Sequence, residues 1–215
     1  MTTAAGPAVS RPEATVAEFG IGMRLSIHPH TDDFVEVILG ALGDVAHLAD
    51  AAGFVVETDP VSTYVGARRP GAEADLARYA AELTAAAHRR SGAGHVVTHV
   101  LLSRGCPGET TCDLSVVGTP TPVRADLPAT GVPAVAQWSL YPLSDDGTSH
   151  MDLIHAAIAG ARDVSVTTNH YATRLEADLA DVVAVATNAW AQVGTQVPHV
   201  VTHLTISVGS PSPEG

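Results

Sequence analysis

The sequence of 215 residues is poor in basic side chains, cysteine and aromatic residues. Its 11 Lys and Arg residues stand against 23 Asp and Glu, a formal charge of -12 at pH 7. A chain this acidic is poorly matched to a nucleic-acid backbone or an anionic membrane surface, and it mildly favours cationic ligands. No apolar run is long enough to cross a bilayer, and residues 1–18 lack the basic and apolar regions of a secretion signal. We therefore expect a cytoplasmic protein with no nucleic-acid partner and no membrane insertion.

The sequence contains two cysteines, Cys106 and Cys112, and their spacing is not that of a zinc site. They could form a disulfide, but a cytosolic chain would keep both reduced. Cys106 could be a reactive thiol, although a packing role is favoured because Ser210 takes its place in the second half. The sequence has no G-x-S-x-G, no paired-carboxylate motif and no phosphate-binding glycine loop that leads into a helix. We expect no enzymatic activity.

A duplicated pentapeptide organises the chain. Residues 95–99 read His-Val-Val-Thr-His, and residues 199–203 repeat them. Upstream, residues 26–33 correspond to residues 139–146 in the same order. A repeat of this length indicates one supersecondary unit present twice. We predict a first unit over residues 19–106, a linker over 107–132, a second unit over 133–209, and tails over 1–18 (disordered) and 210–215.

Hydrophobic periodicity predicts the same order of elements in both units. In the first unit, alternation from Met23 to Ile27 predicts a strand, and residues 34–42 recur at helical spacing after an N-cap at Thr31. Runs of β-branched residues around Asp59 predict a hairpin, and a second helix and a last strand follow. The order β, α, β, β, α, β predicts an α+β fold of tandem ferredoxin-like, ACT-like repeats, with antiparallel sheets and helices on one face. The open faces could pack against each other or against another chain.

Polar residues on the open face and in the hairpins are candidates for ligand contacts. The first strand of each unit offers Ser26 and His28, or Ser139 and Tyr141, which ordinary solvated or interface positions explain equally well. Hydroxyl, carboxylate and amide groups of the hairpins could pair with the edge of a flat heterocycle, and turn chemistry explains the carboxylate and amide just as well. The hairpin candidates are Thr58, Asp59, Ser62, Thr63, Asn169 and Thr173.

The eleven histidines raise the question of a metal site. Each pentapeptide has two histidines four positions apart, a spacing that brings two imidazoles together on a helix. The intervening Val-Val-Thr favours a strand, in which such positions lie about 13 Å apart, so that one ion cannot bridge them. We expect no metal site at these pairs. His28 and His30, which flank Pro29, are a weak surface alternative.

Several segments, taken in order, carry a likeness to a known family. Those of the first half are residues 22–34, Thr58-Asp59 with Ser62-Thr63, and residues 105–110. Those of the second half are residues 139–142, residues 170–173, His199 and residues 210–212. Together they resemble the YkoF family of thiamine and hydroxymethylpyrimidine binding proteins, and the likeness covers nearly all of residues 19–213.

The resemblance implies a dimeric protein that binds thiamine as its ligand, with no other cofactor and one site per repeat, in vitamin salvage or transport. Transporter components are then possible partners. Asp33 and His170 lie in the matching segments and complete the candidate ligand-binding residues. The alternatives are an ACT-like regulatory or interaction module and a small enzyme on the same scaffold, since fold alone does not determine function.

The two implied sites differ in sequence. Asp59 and Ser62 of the first hairpin correspond to Asn169 and Ala172 of the second, which removes one charge and one hydroxyl. We therefore predict unequal affinities. His28 stands where the family usually has a tyrosine, and a proton on its imidazole would repel a cationic ligand.

Overall fold

The computed structural model describes residues 20–69, 71–105, 121–144 and 150–212. The predicted tail over 1–18, both cysteines, residues 107–120 of the predicted linker and the last three residues lie outside the described residues. Within the described part, eight strands and four helices follow the order β, α, β, β, α, β twice. This is the element order that hydrophobic periodicity predicted.

The elements of the first half are β1 (Ile21–Pro29), α1 (Phe34–Ala52), β2 (Val55–Thr58), β3 (Thr63–Gly66), α2 (Ala72–Arg90) and β4 (Val96–Arg104). Those of the second half are β5 (Pro133–Leu143), α3 (His150–Gly160), β6 (Ser165–Asn169), β7 (Ala172–Asp178), α4 (Leu179–Val193) and β8 (His199–Val208). None of these described helices is long and apolar enough to cross a membrane.

The described strands form one antiparallel sheet in the order β2-β3-β1-β4-β8-β5-β7-β6. The halves are joined edge to edge, because β4 and β8 pair along their whole lengths. The alternative in which the two halves pack their open faces together within one chain is therefore wrong. The physical reason is that each strand would otherwise expose a long row of unpaired backbone groups, which this pairing satisfies.

The junction between the halves is symmetric. Val100, which follows the first pentapeptide, pairs with Leu204, which follows the second. A local two-fold axis therefore passes between these two residues and relates the two pentapeptides.

One face of the sheet carries the helices and the other is open. Along β1, Met23 and Leu25 are buried while Arg24 is exposed, and β4, β5 and β8 alternate in the same way. The helices α2 and α4 pack on the buried face and carry many of the core residues, including Trp190. Polar side chains of the central strands therefore lie together on the open face.

The first helix starts later than predicted. Thr31 is not its N-cap, because α1 begins at Phe34 and its N-cap position is Asp33. The hydroxyl of Thr31 instead accepts a hydrogen bond from the Asp33 N–H at 3.3 Å, so it serves a local turn. The helix ends at Gly53, whose left-handed backbone (φ 66°) lets its N–H reach the carbonyls of Ala49 and Asp50.

A buried ion pair joins α2 to β4. Arg104 and Glu73 are 0% and 1% exposed, and the guanidinium donates to the carboxylate. Burial lowers the pKa of Arg104, while the charge of Glu73 acts in the opposite direction. The pair fixes the start of α2 against the end of the strand.

The described part of the predicted linker, residues 121–132, contains no helix or strand but is tied to α4. Asn188 accepts from the N–H of Ala125 at 2.8 Å and donates to its carbonyl at 2.9 Å. Asp178 accepts from the N–H and hydroxyl of Thr130 and from the N–H of Gly131. This segment therefore has a defined position across the second half.

Candidate functional site

The edge of β1 is only partly covered by its neighbour. β3 begins at Thr63, opposite Leu25, and the pairing between the two strands goes no further. From Ser26 to Pro29, β1 keeps β4 on one side. On the other side, no described strand pairs with these four residues.

The backbone of Ile27 points into this uncovered space. In an antiparallel pair, consecutive residues direct their N–H and C=O groups to opposite neighbours. The N–H of His30 donates to the carbonyl of His95, towards β4, and the carbonyl of Ile21 accepts from Ala67, towards β3. The backbone N–H and C=O groups of the odd-numbered residues of β1 therefore point towards the β3 side. Ile27 thus presents one donor and one acceptor, side by side, where β3 is absent.

A cavity of about 450 Å³ lies along this edge. We call it the β1-edge cavity. Its apolar wall comes from α1, through Phe34, Ile38 and Leu42, and β1 and the hairpin of residues 58–63 complete the lining. Phe34 is 52% exposed, although phenylalanine is among the residues most often buried. The cavity thus combines an aromatic ring, an aliphatic wall and a polar edge.

Two hydroxyls of the hairpin lie together at the cavity. The oxygens of Thr58 and Thr63 are 3.0 Å apart and share a hydrogen bond. Both residues line the β1-edge cavity, and Thr63 is buried. Because a hydroxyl can donate once and accept twice, the pair keeps free capacity for a ligand.

Asp59 holds the hairpin turn. One of its oxygens accepts from the N–H groups of Val61 and Ser62 at 2.7 and 2.8 Å. The other accepts from Arg24 at 2.9 Å, and the same guanidinium nitrogen donates to the Ser62 hydroxyl at 2.8 Å. The backbone donors of Ser62 and Val61, followed by Arg24, lower the pKa of Asp59. The carboxylate is therefore ionised at the mouth of the cavity and serves the turn.

Ser26 and His28 lie on the open face beside the cavity. Their oxygen and Nε2 atoms are 3.0 Å apart, and both residues contribute to the cavity lining. Asp33 stands at the start of α1, next to Phe34 but outside the lining. In the first half, the structure therefore brings together every predicted site residue except Asp33.

The second half leaves the corresponding edge uncovered. The pairing of β5 with β7 stops at Trp138 opposite Thr173, so β5 from Ser139 to Pro142 has only β8 beside it among the described strands. Ser139 and the half-exposed Tyr141 lie on the open face. Residues 145–149, which precede α3, lie outside the described residues.

The space beneath this second edge is filled differently. Trp138 stands where the first half has Leu25, and its buried indole donates to the Thr202 hydroxyl at 2.8 Å. In the hairpin, Asn169 accepts from the N–H of His170 at 2.8 Å, and His170 itself is exposed. The predicted residues of the second half therefore lie on the open face of β5 and on the β6–β7 hairpin, beside a larger buried side chain than Leu25 of the first half.

Sequence reasoning missed the apolar wall and the main-chain groups of the first site. Phe34, Ile38 and Leu42 were interpreted only as a helical period, and the backbone of Ile27 carries no signal in the sequence. In the sequence, the available hint of this site was the segment in which Pro29 is followed by an aromatic residue at the start of a helix.

Five histidines lie on or beside the centre of the open face. The rings of His99 and His203, one from each pentapeptide, stack across the local two-fold axis at 6.1 Å and 24°. The His28 ring lies 5.4 Å from that of His99, and the His30 and His95 rings are 4.3 Å apart. Among the described residues, no group of three or more His, Cys, Asp or Glu side chains is arranged to hold a metal ion.

This cluster predicts that acid destabilises the fold. Burial, and then the neighbouring histidines, lower the pKa of His28, His95 and His99 from 6.5. The unfolded chain then binds more protons than the folded chain below about pH 6.5, so stability is full above that pH and falls as the pH decreases through it. Urea unfolding between pH 7.5 and 5.5 should show this loss of stability. His99→Gln should reduce the slope of the free energy of unfolding against pH. Stability that is flat or rises towards pH 5.5 would contradict the prediction.

Comparison with known proteins identifies chains that are similar to this one. A family model described as the YKOF-related family matches residues 133–213. A Bacillus subtilis (strain 168) protein named "Putative HMP/thiamine-binding protein YkoF" is 31% identical over 196 residues, which is 89% of this chain and 91% of that protein. A solved structure of the hypothetical protein MJ1052 from Methanocaldococcus jannascii is 29% identical, with 39% of this chain and 87% of that chain covered and a TM-score of 0.35.

Proposed function

Because the chain belongs to the YkoF-related family, we propose that it binds thiamine, or the hydroxymethylpyrimidine half of thiamine, and does not catalyse a reaction. The Bacillus relative is named for binding this ligand. The observation in this structure that carries the proposal is the β1-edge cavity, which is lined both by Ile27, whose main-chain donor and acceptor have no neighbouring β3 residue, and by Phe34. Thiamine is the ligand, and we propose no further cofactor.

The chemistry of an aminopyrimidine matches this cavity. Its exocyclic amine and ring nitrogen form an adjacent donor and acceptor, which can pair with the carbonyl and N–H of Ile27. Its flat ring can stack on Phe34, while the hydroxyls of Thr58 and Thr63 supply further hydrogen bonds. A volume of about 450 Å³ lies within the usual range for small-molecule sites. The cationic thiazolium is compatible with a chain of formal charge -12.

We extend the proposal to both halves as tandem ferredoxin-like repeats, over residues 19–106 and 133–209, with one site in each. The uncovered edges of β1 and β5 end at corresponding positions, which supports this duplication. The sites are unequal, because Trp138 is larger than Leu25 at the corresponding position of the first half, and because Ala172 lacks the hydroxyl that Ser62 has. The proposed setting is vitamin salvage or transport, with transporter components as further partners.

A titration of the intact chain tests the ligand. Calorimetry with thiamine, hydroxymethylpyrimidine and the thiazole alcohol alone should give saturable binding for the first two and markedly weaker binding for the third. Since a ligand that binds only the folded state stabilises it, the melting temperature should rise with thiamine concentration. Absence of binding, or equal binding of the thiazole, would reject the proposal, and two identical sites would reject the predicted asymmetry.

Replacing Phe34 with Ala should weaken thiamine binding at the first-half site by up to about tenfold, because aromatic stacking contributes about 0.5–1.5 kcal/mol beyond area burial. Folding should change little, since the ring is half exposed. Val35→Ala is the matched control, because Val35 is 51% exposed on the same helix and does not line the cavity. Equal affinities for the two variants in the same titration would remove Phe34 from the site.

We also propose a homodimer, with the open face of the sheet as its interface. This face exposes Leu101, Tyr141 and Leu143 to between 42% and 48% beside the histidine cluster. Leu101→Arg should lower the mass measured by light scattering from that of two chains to that of one. Leu39→Arg, at a 64% exposed position on α1, should leave the mass unchanged. A single-chain mass for the unmodified protein would refute the dimer.

A further inference from the structure

The two helix pairs are packed differently. In the first half, α1 buries five residues against its neighbours, whereas α3 buries none of its residues. Between α3 and α4 lies a cavity of about 500 Å³, bordered on a third side by residues 122–124. We call it the α3–α4 cavity. It lies in the helix layer of the second half and shares no lining residue with the β1-edge cavity.

Small side chains create this space. Ala156, Ala157 and Ala189 line it, and a Cβ added at Gly160 would meet no atom within 4 Å. The lining therefore has room for an occupant that the helices themselves do not fill. A space with this lining suits an apolar group of modest size.

The corresponding groove of the first half is closed by a side chain. Arg90, the last residue of α2, crosses to α1 and donates two hydrogen bonds of 2.7 Å to Asp44. Its guanidinium lies so close to Gly40 that an added Cβ there would be 2.3 Å from it. In the second half, α4 ends at Val193, which cannot form such a bridge. The bridge that crosses the groove of the first half therefore has no counterpart at this position in the second half.

Two arginines border the cavity without a described acidic partner. Arg124 and Arg162 line it and are exposed, and neither forms an ion pair with a described residue. Five other arginines do form such pairs, namely Arg24, Arg69, Arg90, Arg104 and Arg174. The amides of Gln192 and Gln196 also line the cavity, and Asp163 is its one acidic residue among those described.

The position of Arg124 is fixed by its neighbour. Asn188 of α4 holds the backbone of Ala125 through two hydrogen bonds, at 2.8 and 2.9 Å. The segment that carries Arg124 therefore has a defined path over α4. Arg124 therefore lies at a defined position in the cavity lining, together with the small residues.

We propose that the α3–α4 cavity is a further binding site, separate from the two proposed thiamine sites, for a small organic anion with a phosphate or carboxylate group on an apolar body. Guanidinium groups bind both oxyanions through paired, charge-assisted hydrogen bonds. Two arginines without an ion pair among the described residues, against one aspartate, give the lining a net positive charge in a chain whose formal charge is -12. The small residues of the lining contact the apolar body of the anion, and a volume of about 500 Å³ is sufficient for a compact molecule.

Calorimetry with the full chain tests this site, using phenyl phosphate, benzoate and inorganic phosphate as probes. At least one aromatic probe should bind saturably at one site, more than tenfold tighter than inorganic phosphate, and which one binds identifies the preferred oxyanion. Arg124→Ala with Arg162→Ala should weaken that binding tenfold or more. Arg78→Ala is the control, because Arg78 is an exposed arginine on α2 without a described ion pair. The affinity of this variant for the probe should match that of the unmodified chain.

A cavity-filling variant distinguishes this site from the two proposed thiamine sites. Gly160→Leu places a side chain into open space at a helical position, so the fold should persist. It should abolish binding of the aromatic probe and leave the thiamine titration unchanged. The proposal is overturned if neither aromatic probe binds saturably, if Gly160→Leu leaves binding intact, if Arg78→Ala weakens it as much as the double variant, or if thiamine displaces the probe.

Discussion

Replacing Glu73 with Ala should lower the free energy of unfolding by about 3–5 kcal/mol, because it removes a buried carboxylate that pairs with the fully buried guanidinium of Arg104. Both side chains are almost fully buried, so water cannot take the place of the lost carboxylate. For a chain of this size, the melting temperature should fall by roughly 6–20 °C. Urea unfolding at neutral pH, monitored by circular dichroism, measures the loss.

A matched ion pair on the surface gives the control. Asp44 pairs with Arg90 between α1 and α2, but both side chains are about 40% exposed. Asp44→Ala should therefore cost only a small fraction of the loss in Glu73→Ala. The double variant Glu73→Leu with Arg104→Met removes both buried charges and should recover most of the stability. If Glu73→Ala is as mild as Asp44→Ala, the pair is not the structural element that its burial indicates.

The element order was predictable because period and strand propensity are local properties. Alternation marked β1, and the apolar spacing of α2 marked its buried side. The pairing of β4 with β8 was not predictable, since alternating strands of this kind fit a central or an edge position equally well. The start of α1 also differed, because Thr31 could bond its own turn as readily as it could cap a helix.

The candidate site was predictable only in part. Polar residues in hairpins and on strands attract attention as ligand contacts, and in the first half most of them do line one cavity. The main-chain donor and acceptor of Ile27 depend on where β3 stops, which is a property of register and not of residue type. The stacking of His99 on His203 has the same origin, because the four-residue spacing within a strand says nothing about the neighbouring strand.

Asp178 is the second residue whose loss should be severe. It caps α4 by accepting from the N–H of Ala180 at 2.8 Å, and it also holds Thr130 and Gly131 of the preceding segment. Asp178→Ala should lower the free energy of unfolding by about 2–4 kcal/mol, since it removes a helix cap and leaves further donors without an acceptor. Urea unfolding at pH 6 measures this loss, and Asp178→Asn, which keeps one acceptor oxygen, should lose less.

The pH dependence of this loss distinguishes a charged cap from a merely well-packed side chain. Desolvation raises the pKa of Asp178, but the donors of Thr130, Ala180 and Gly131 outweigh it and hold the pKa below the ordinary value of 3.8. The stabilisation by Asp178 is therefore present above the pKa that this residue has in the unfolded chain, and it is lost as the pH falls through the pKa of the folded state. The difference between the unmodified chain and Asp178→Ala should be full at pH 6 and should shrink below about pH 4. A difference that is the same at pH 3 as at pH 6 would show that the carboxylate charge does not stabilise the junction between the linker segment and α4.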